Sequence, residues 1–383
     1  MDFTACYSET LVLLFFMLAL LIGSWVYSAL SVIAALRYLA VRRDHLVGTE
    51  AVSILKPLSG LDDGLEENLR SFFEQAYSPF ELIFAVRDAS DPCVSLVEKL
   101  RAEYSSIPAR LLITGEPPYP HAKVYSLSCM LNQAPHDLVV MSDSDIRVGS
   151  DFLQEIAAEF ASGEIALATC PYRAVAGKSF WSRVEALGMN TTFWQGVLTA
   201  RMLDGLKFAV GPTIVARRKA IDAVGGMESV ANYLAEDFEL GRAVAASGAH
   251  VILSSYVIEH RIGSEQLKEN FTHRLRWGRT SRRSRPAGYV GQFFTFPVPI
   301  VLLLVALVPA WWPLLLVTFF IRYVSAWATA RLALRASINF FLLPVEDVLG
   351  FAFWIAGFFG NTITWRGRSY RLDRQGRAIG LAE

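Results

Sequence analysis

Apolar residues are concentrated at the two ends of the chain, and the long stretch between them mixes apolar with polar positions. The first apolar run, 11–36, has no basic residue before it and is closed by Arg37. It is longer than the core of a signal peptide, so we predict an uncleaved transmembrane anchor helix with its N-terminus outside. A second apolar region, 293–363, contains too many residues for a single span.

Two breaks interrupt the second apolar region. The segment 309–313, Pro-Ala-Trp-Trp-Pro, predicts either a tight turn between two helices or a kink. Paired carboxylates are costly at bilayer depth, so we expect Glu346 and Asp347 at the level of the lipid headgroups. A short span or a re-entrant helix would then follow them. We therefore predict that 286–363 is a C-terminal membrane region of spanning or re-entrant helices.

Between the apolar ends, short β-branched runs alternate with segments of helical period. The predicted strands are 52–56, 81–87, 109–114, 137–141 and 166–170, and the predicted helices are 65–74, 94–104, 123–133 and 152–160. This alternation predicts an α/β fold with a mostly parallel sheet and flanking helices. Ligands of such sheets bind beyond the carboxyl ends of the strands, so polar residues directly after a strand are candidate site residues.

The pattern changes after Cys170, where apolar and aromatic residues recur at helical spacing. The stripe consists of Phe180, Val184, Leu187, Thr191, Trp194 and Leu198. We expect this helix to pack on the sheet. A compatible alternative is an interfacial helix that dips toward the membrane near a lipid acceptor.

Composition and charge support a membrane protein and exclude one class of partner. Hydrophobic residues make up 53% of the 383 residues, and the mean hydropathy is +0.35. The 36 basic and 36 acidic residues balance, which argues against general nucleic-acid binding. The arginines cluster in three places: Arg37, Arg42 and Arg43; Arg274, Arg276, Arg279, Arg282, Arg283 and Arg285; and Arg366, Arg368, Arg371, Arg374 and Arg377.

The positive-inside rule places all three arginine clusters in the cytoplasm. We therefore predict a cytosolic domain at 45–285 and a basic cytosolic tail at 364–383. This arrangement requires an even number of membrane crossings after residue 293.

The strongest local signal is Asp143-Ser144-Asp145, which follows the predicted strand 137–141. Two carboxylates on such a turn can hold a hard divalent cation, Mg²⁺ or Mn²⁺, against a diphosphate. The cation would stabilise charge on a nucleotide leaving group. For an isolated Asp-X-Asp, a solvated acidic turn is the commoner explanation.

Three further segments are candidates, each with a structural alternative. Asp88 follows the strand 81–87 and can bind a base or cap the next helix. Glu236-Asp237 opens a predicted helix, either as a favourable charge on the helix dipole or as a catalytic base. Lys123 follows a Pro-rich loop and could approach a phosphate, although a solvated lysine is the commoner case.

His273, Arg276 and Trp277 lie on one face of a predicted amphipathic helix, because steps of three and four residues share a face. An arginine and a tryptophan presented together suit a diphosphate and a ring. Alternatively, this is a basic helix lying on anionic lipid headgroups.

In these motifs the sequence resembles the ceramide glucosyltransferase family, inverting enzymes with a GT-A fold, over nearly the whole chain. The family pattern is matched at Asp88, at Asp143, at Asp237 and at 273–277, with the Lys56-Pro57-Leu58 and Ile363-Thr364-Trp365-Arg366 segments in support. His273 stands where the family has Gln or Arg. It is reminiscent of the bacterial hopanoid-associated glycosyltransferases, so the lipid acceptor stays open while the reaction type does not change.

The resemblance implies a role for each matched residue. Asp88 would lie near the uridine, Asp143 and Asp145 at the metal and diphosphate, and Asp237 would act as base. On the donor side, Arg276 and Trp277 would close the site together with His273.

The resemblance also implies the reaction. The expected donor is UDP-glucose, the acceptor ceramide in the bilayer, and the product β-glucosylceramide. Alternatives are a hopanoid or another lipid as acceptor, with UDP-glucose or UDP-N-acetylglucosamine as donor. A processive polysaccharide synthase ranks lower, because it needs a membrane channel for its product. A transporter would not need these carboxylates. We expect a multi-pass protein of a bacterial inner membrane with its catalytic domain in the cytoplasm.

Overall fold

A computed structural model describes residues 3–41, 48–264, 266–365 and 368–380. Arg42, Arg43 and Arg366 of the predicted basic clusters lie outside these residues. The chain forms two compact units. We call Met1–Ala40, Phe180–Leu203 and Gln266–Gly360 the helical unit, and Val41–Ser179, Asp204–Glu265 and Asn361–Glu383 the sheet unit.

The strands and helices are numbered in chain order. The strands are β1 (Val52–Pro57), β2 (Phe80–Val86), β3 (Ala109–Ile113), β4 (Leu138–Ser142), β5 (Ile146–Arg147), β6 (Ile165–Thr169), β7 (Tyr172–Val175), β8 (Thr213–Arg217), β9 (His250–Leu253), β10 (Ile258–Arg261), β11 (Thr362–Trp365), β12 (Arg368–Leu372) and β13 (Ala378–Gly380). The helices are α1 (Phe3–Leu39), α2 (Leu65–Phe73), α3 (Cys93–Glu103), α4 (Ala122–Gln133), α5 (Phe152–Phe160), α6 (Phe180–Gly188), α7 (Trp194–Asp204), α8 (Arg218–Ala223), α9 (Glu236–Ala246), α10 (Leu267–Ser284), α11 (Pro286–Gly291), α12 (Pro297–Leu307), α13 (Pro313–Trp327) and α14 (Leu343–Gly357).

The sheet unit is built on a seven-stranded sheet of order β3-β2-β1-β4-β8-β6-β9. Every pair is parallel except the two that β8 makes with β4 and β6. The predicted α/β fold with a mostly parallel sheet is confirmed, and each strand or helix predicted between residues 52 and 170 agrees within one residue at either end. All residues of β2 and β4 are buried, as expected for strands covered by helices on both faces.

The sheet brings three chain segments to one edge. Strands β2, β1 and β4 are adjacent and parallel, so their carboxyl ends lie side by side. Lys56 lies at the end of β1, Asp88 follows β2, and Asp143 follows β4.

The C-terminal segment of the sheet unit forms a small antiparallel sheet of order β11-β12-β13. One face of it is buried with Leu234, in a cluster that also contains Ile363, Tyr370, Leu372 and Ala378. The described part of the predicted basic tail therefore folds with the sheet unit as strands, because apolar residues alternate with its arginines.

The helical unit contains the apolar ends of the chain. Two helices within the described ranges are long and apolar enough to cross a membrane, Leu11–Leu39 and Pro309–Ala333. The pair Pro286–Thr295 and Pro297–Leu307, bent by 56°, could add a third span. Pro309–Trp311 forms a 3₁₀ turn between α12 and α13, which is the tight-turn alternative predicted for 309–313.

The aromatic stripe at 180–198 also belongs to the helical unit. It forms α6, a π-helical turn at Met189–Phe193, and α7. Leu187 packs with Ala326 and Leu343 of the same unit. The stripe therefore packs among apolar helices of its own unit, and the expected packing on the sheet stays a prediction.

The acidic pair in α14 is buried in protein. Glu346 is 1% and Asp347 0% exposed. Arg322 of α13 donates from Nε and Nη2 to Asp347 at 2.9 and 2.7 Å, and Arg274 donates to Glu346 at 3.1 Å. Each carboxylate thus has an arginine partner on another helix, which offsets the cost of burial. The level of the pair in the membrane stays a prediction.

Loss of the Asp347 carboxylate should destabilise the protein. Asp347→Leu leaves the Arg322 cation, 1% exposed, without its counter-charge, so the free energy of unfolding should fall by about 3–5 kcal/mol. Thermal unfolding in detergent measures this. The double variant Arg322→Met/Asp347→Leu should recover most of the loss, since apolar pairs often replace buried ion pairs. An Asp347→Leu protein as stable as wild type would contradict the assignment.

Candidate active site

A pocket opens in the sheet unit where β4 ends and α9 begins. Its polar lining includes Lys123, Asp143, Glu236 and Asp237, and its apolar walls are Leu127, Met141, Ile214, Met227 and Leu240. The structure therefore brings together three residues that the sequence singled out separately, Lys123, Asp143 and Asp237. They come from α4, the β4 edge and α9.

Lys123 connects two of the pocket carboxylates. Its Nζ lies 2.7 Å from Asp143 Oδ1 and 2.8 Å from Glu236 Oε1. Burial would lower the pKa of Lys123, but the two carboxylates raise it well above its usual value. Lys123 is thus not the solvated lysine of the alternative explanation. It is a fixed cation at the start of α4.

The two carboxylates at the start of α9 have opposite electrostatic surroundings. Burial favours a protonated Glu236, but Lys123 and His121, whose Nε2 lies 3.1 Å from Glu236 Oε2, hold its pKa well below the usual range. Burial and the Glu236 charge raise the pKa of Asp237 to about 6. The Gly211 N–H donates to Asp237 Oδ2 and fixes this carboxylate. A pair whose pKa values are pushed apart is typical of acid–base sites.

Asp145 has an unused acceptor. Its Oδ2 lies 3.0 Å from His260 Nε2 of β10, and its buried Oδ1 has no hydrogen-bond partner among the described residues. Burial raises the pKa of Asp145, but His260 and then Lys56 outweigh this effect and lower it. A buried ionised oxygen without a donor fits a cation ligand.

The carboxylate oxygens of Asp143 and Asp145 are of the kind that binds Mg²⁺ or Mn²⁺, in a site that substrate oxygens would complete. Within the described ranges, no group of three or more His, Cys, Asp or Glu side chains is arranged to hold a metal. Mg²⁺ is commonly bound by one or two carboxylates together with substrate phosphates. The two aspartates fit this second arrangement.

Sequence reasoning missed Lys56 as a site residue. Its side chain is fully buried, donates to Ser142 Oγ at 3.3 Å and to the Asp143 carbonyl, and lies 3.9 Å from the centre of the Phe72 ring. Burial lowers its pKa to about 7, although Asp143 and Asp145 oppose that shift. The sequence did contain a signal for it, a lysine at the end of an apolar strand. A cation buried there needs carboxylate partners, which would have pointed to a site.

Asp88 lies at the same edge of the sheet and is exposed. Its Oδ1 accepts from the Ser90 N–H and Oγ–H, both at 2.7 Å, so it does not cap α3. Asp91 holds the start of that helix instead, because its Oδ1 accepts from Cys93 N and Gly60 N, both at 3.0 Å. The role of Asp88 at the uridine stays a prediction.

His273, Arg276 and Trp277 lie on α10 in the helical unit. The His273 and Trp277 rings are 4.3 Å apart, and His273 Nδ1 lies 3.1 Å from Glu185 Oε1. The helix begins with a capping box formed by Gln266 and Glu269. The predicted helix is present, and its action on the donor stays a prediction.

Curated relatives are similar over part of their length. Ceramide glucosyltransferase 3 of Caenorhabditis elegans is 29% identical over 250 residues, which are 64% of this chain and 54% of the relative. The ceramide glucosyltransferase of Komagataella phaffii is 33% identical over 108 residues, 27% of this chain and 21% of the relative. The chain thus spans about half the length of the C. elegans relatives, 54% and 53%.

The fold is shared with a solved glycosyltransferase. A mannosyltransferase of Pyrobaculum calidifontis, solved with GDP-Man and Mn²⁺, matches with a TM-score of 0.53 at 15% identity and covers 89% of this chain and 96% of its own. This likeness supports the GT-A type of fold. The model of glycosyl transferase family 21 matches residues 14–378, and the chain belongs to that family.

Proposed function

We propose that this protein is a membrane lipid glycosyltransferase that moves glucose from UDP-glucose to ceramide with inversion, giving β-glucosylceramide. The family supports glycosyl transfer, and the curated relatives named ceramide glucosyltransferases support the acceptor. One observation carries the proposal most. The start of α9 presents Asp237, with a pKa raised to about 6, to the pocket that also holds Asp143 and Lys123.

The donor diphosphate is proposed to lie at the sheet edge. Asp143 and Asp145 would hold Mg²⁺ or Mn²⁺, which neutralises charge on the leaving UDP. Lys123 lies between Asp143 and Glu236 and can offer its ammonium group to the diphosphate. Lys56 donates to the main-chain carbonyl of Asp143 in the aspartate turn, and Asp88 would accept hydrogen bonds from the uracil.

Asp237 is proposed as the base on the acceptor side. In an inverting transfer the acceptor oxygen bonds to the anomeric carbon on the face opposite UDP, and its proton passes to the base as the bond to UDP breaks. A carboxylate with a pKa of about 6 is ionised at neutral pH and is a stronger base than an ordinary aspartate. The Gly211 N–H keeps it oriented.

The acceptor is proposed to come from the bilayer. The helical unit exposes large apolar side chains, among them Val12, Phe15 and Phe320 at 66%, 63% and 70% exposure, as expected for a lipid-facing surface. His273 favours a second candidate, a hopanoid acceptor with UDP-glucose or UDP-N-acetylglucosamine as donor. The reaction would be the same.

A UDP-release assay tests the proposed reaction. The detergent-purified protein, given UDP-glucose and Mn²⁺, should release UDP faster when ceramide is added to the micelles. A diacylglycerol of equal chain length is the control acceptor. UDP release that no lipid stimulates would contradict a lipid acceptor.

The orientation prediction concerns the two ends of the chain. We propose that the sheet unit faces the cytoplasm of a bacterial inner membrane, and the C-terminal strands must lie on the same side because they pack in that unit. The four native cysteines are first replaced by serine, because Cys6 lies on the same predicted side as Glu9. In intact cells an impermeant maleimide should then label Glu9→Cys and should not label Gln375→Cys until the cells are opened. Labelling of Gln375→Cys in intact cells would refute this orientation.

Arg276 is predicted to act on the leaving diphosphate. Arg276→Ala should lower turnover by about 10²-fold, since a fixed cation contributes most as charge develops in the transition state. Arg276→Lys should recover little, because lysine lacks the planar fork of donors. Lys268→Ala, exposed on the same helix, is the control. Near-normal kinetics of Arg276→Ala would make this helix a membrane-surface element only.

A further inference from the structure

The catalytic helix α9 has no capping side chain of its own. Ala235 stands at its N-cap and makes no side-chain hydrogen bond to the first turn. Such a helix start depends on the contacts of the preceding chain for its position. The Gly211 N–H orients the Asp237 carboxylate, and the main-chain position of Asp237, the second residue of α9, also depends on the chain just before the helix.

That preceding chain is paired with the C-terminal sheet, within the sheet unit. The Ala378 N–H donates to the Asn232 carbonyl at 2.7 Å. Tyr233 and Arg377 form an antiparallel bridge, and Arg377 Nε donates to the Tyr233 hydroxyl at 3.3 Å. Leu234, 9% exposed, is buried in the apolar face of the small sheet. Three consecutive residues, ending two positions before Glu236, are thus held by β13 and its neighbours.

The turn between β12 and β13 is held by hydrogen bonds that leave one edge of β13 facing residues 232–234. Asp373 Oδ1 accepts from the N–H groups of Gln375 and Arg377, both at 2.8 Å, and the Asp373 N–H donates to the Arg377 carbonyl. Hydrogen-bonded and non-hydrogen-bonded pairs alternate along an antiparallel ladder. Asp373 and Arg377 are a hydrogen-bonded pair, so the next pair, Leu372 and Ala378, is a non-hydrogen-bonded one. The Ala378 N–H therefore points away from β12 and donates to the Asn232 carbonyl.

We propose that the C-terminal sheet, β11–β13, is a positioning element for the catalytic carboxylate. It fixes the main chain at 232–234 and, through it, the placement of Asp237 against the acceptor oxygen. Leu234 and Ala378 are its positioning residues. The proposal rests on the proposed function, because it gives Asp237 the role of base.

The test uses full-length protein and the pair Ala378→Pro and Ala378→Ser. Proline removes the N–H that bonds to Asn232, whereas serine keeps it at similar size. Ala378→Pro should lower kcat by about 10²-fold, the scale of a displacement near 1 Å. UDP affinity and the KM for UDP-glucose should change much less than kcat, because Asp88, Asp143 and Lys123 lie on other elements and only the Glu236 partner of Lys123 lies on α9. Ala378→Ser should transfer at the wild-type rate.

A second pair of variants, Leu234→Ala and Ile379→Ala, tests the positioning role if Ala378→Pro fails to fold. Leu234→Ala removes the buried apolar contact with the small sheet and leaves the hydrogen bonds between its strands intact. It should lower kcat with unchanged UDP affinity. Ile379→Ala, 53% exposed on the same sheet, should have no effect. A wild-type kcat in Leu234→Ala would overturn the positioning role. The same holds if transfer falls only in proportion to the amount of protein that still binds UDP. A wild-type protein that transfers no sugar would overturn the proposed function as well.

Discussion

Asp237→Asn should lose sugar transfer by roughly 10²- to 10⁴-fold, the usual range for removal of a general base. The amide keeps the shape of the carboxylate, so UDP-glucose binding should persist. A lipid alcohol is a poor nucleophile at neutral pH, which makes the base matter greatly. Steady-state kinetics and UDP binding, measured on the same preparation, separate the two effects.

The matched control is Glu236→Gln. Glu236 is held ionised by Lys123 and His121, so it is a weak base, and its loss should disturb the donor side more than the proton transfer. Its kcat should fall less than that of Asp237→Asn. If Asp237→Asn transfers at close to the wild-type rate, or Glu236→Gln alone is inactive, the assignment of the base is wrong.

The pH profile gives the same assignment a second readout. Burial and the Glu236 charge raise the pKa of Asp237 to about 6, and the base must be ionised to accept a proton. The kcat/KM of the wild type should therefore rise with pH through about 6 and level off above it. This rise should be absent from the residual activity of Asp237→Asn.

The second large effect is expected at the aspartate turn. Asp143→Asn or Asp145→Asn should lower transfer by about 10²- to 10³-fold, because the divalent cation that would neutralise the leaving diphosphate loses a carboxylate ligand. Mn²⁺ binding in the presence of UDP should weaken in both variants, and thermal unfolding should show a folded protein. Excess chelator should abolish wild-type activity, and added Mn²⁺ or Mg²⁺ should restore it.

Glu116→Gln provides the control for a lost surface carboxylate. Glu116 pairs with Arg87 and its side chain is 65% exposed, so its charge contributes little. Full activity in excess chelator would show that Asp143 and Asp145 hold no catalytic metal. Unchanged Mn²⁺ binding in both aspartate variants would lead to the same conclusion.

The sequence predicted five strands and four helices of the sheet unit to within one residue, because buried parallel strands and amphipathic helices have distinct periods. It also predicted the positions of Asp143 and Asp88 at strand ends. It could not predict that Lys123 would pair with Asp143 and Glu236, since the period of a helix does not tell which side chains on other elements it meets. Strands β8 and β9 of the seven-stranded sheet were not predicted. The place of each strand in the sheet is set by tertiary packing.

Two further features depend on contacts between segments that lie far apart in the chain. Hydropathy treats Glu346 and Asp347 as unpaired carboxylates, whereas Arg274 and Arg322 pair with them from other helices. The C-terminal segment was expected to be a basic tail because arginines dominate its composition. Its alternate residues Tyr370 and Leu372 are buried with Leu234, which lies far away in the chain.

The identity of the product tests the proposed transfer of glucose to ceramide most directly. The purified protein is incubated with UDP-glucose, UDP-N-acetylglucosamine and a panel of ceramide, hopanoid polyol and diacylglycerol, and products are analysed by mass spectrometry and by NMR of the anomeric proton. We predict a mass equal to ceramide plus one hexose, with the β configuration, absent from Asp237→Asn. A sugar polymer, an α-linked product, or no glycolipid from any donor and acceptor pair would contradict the account.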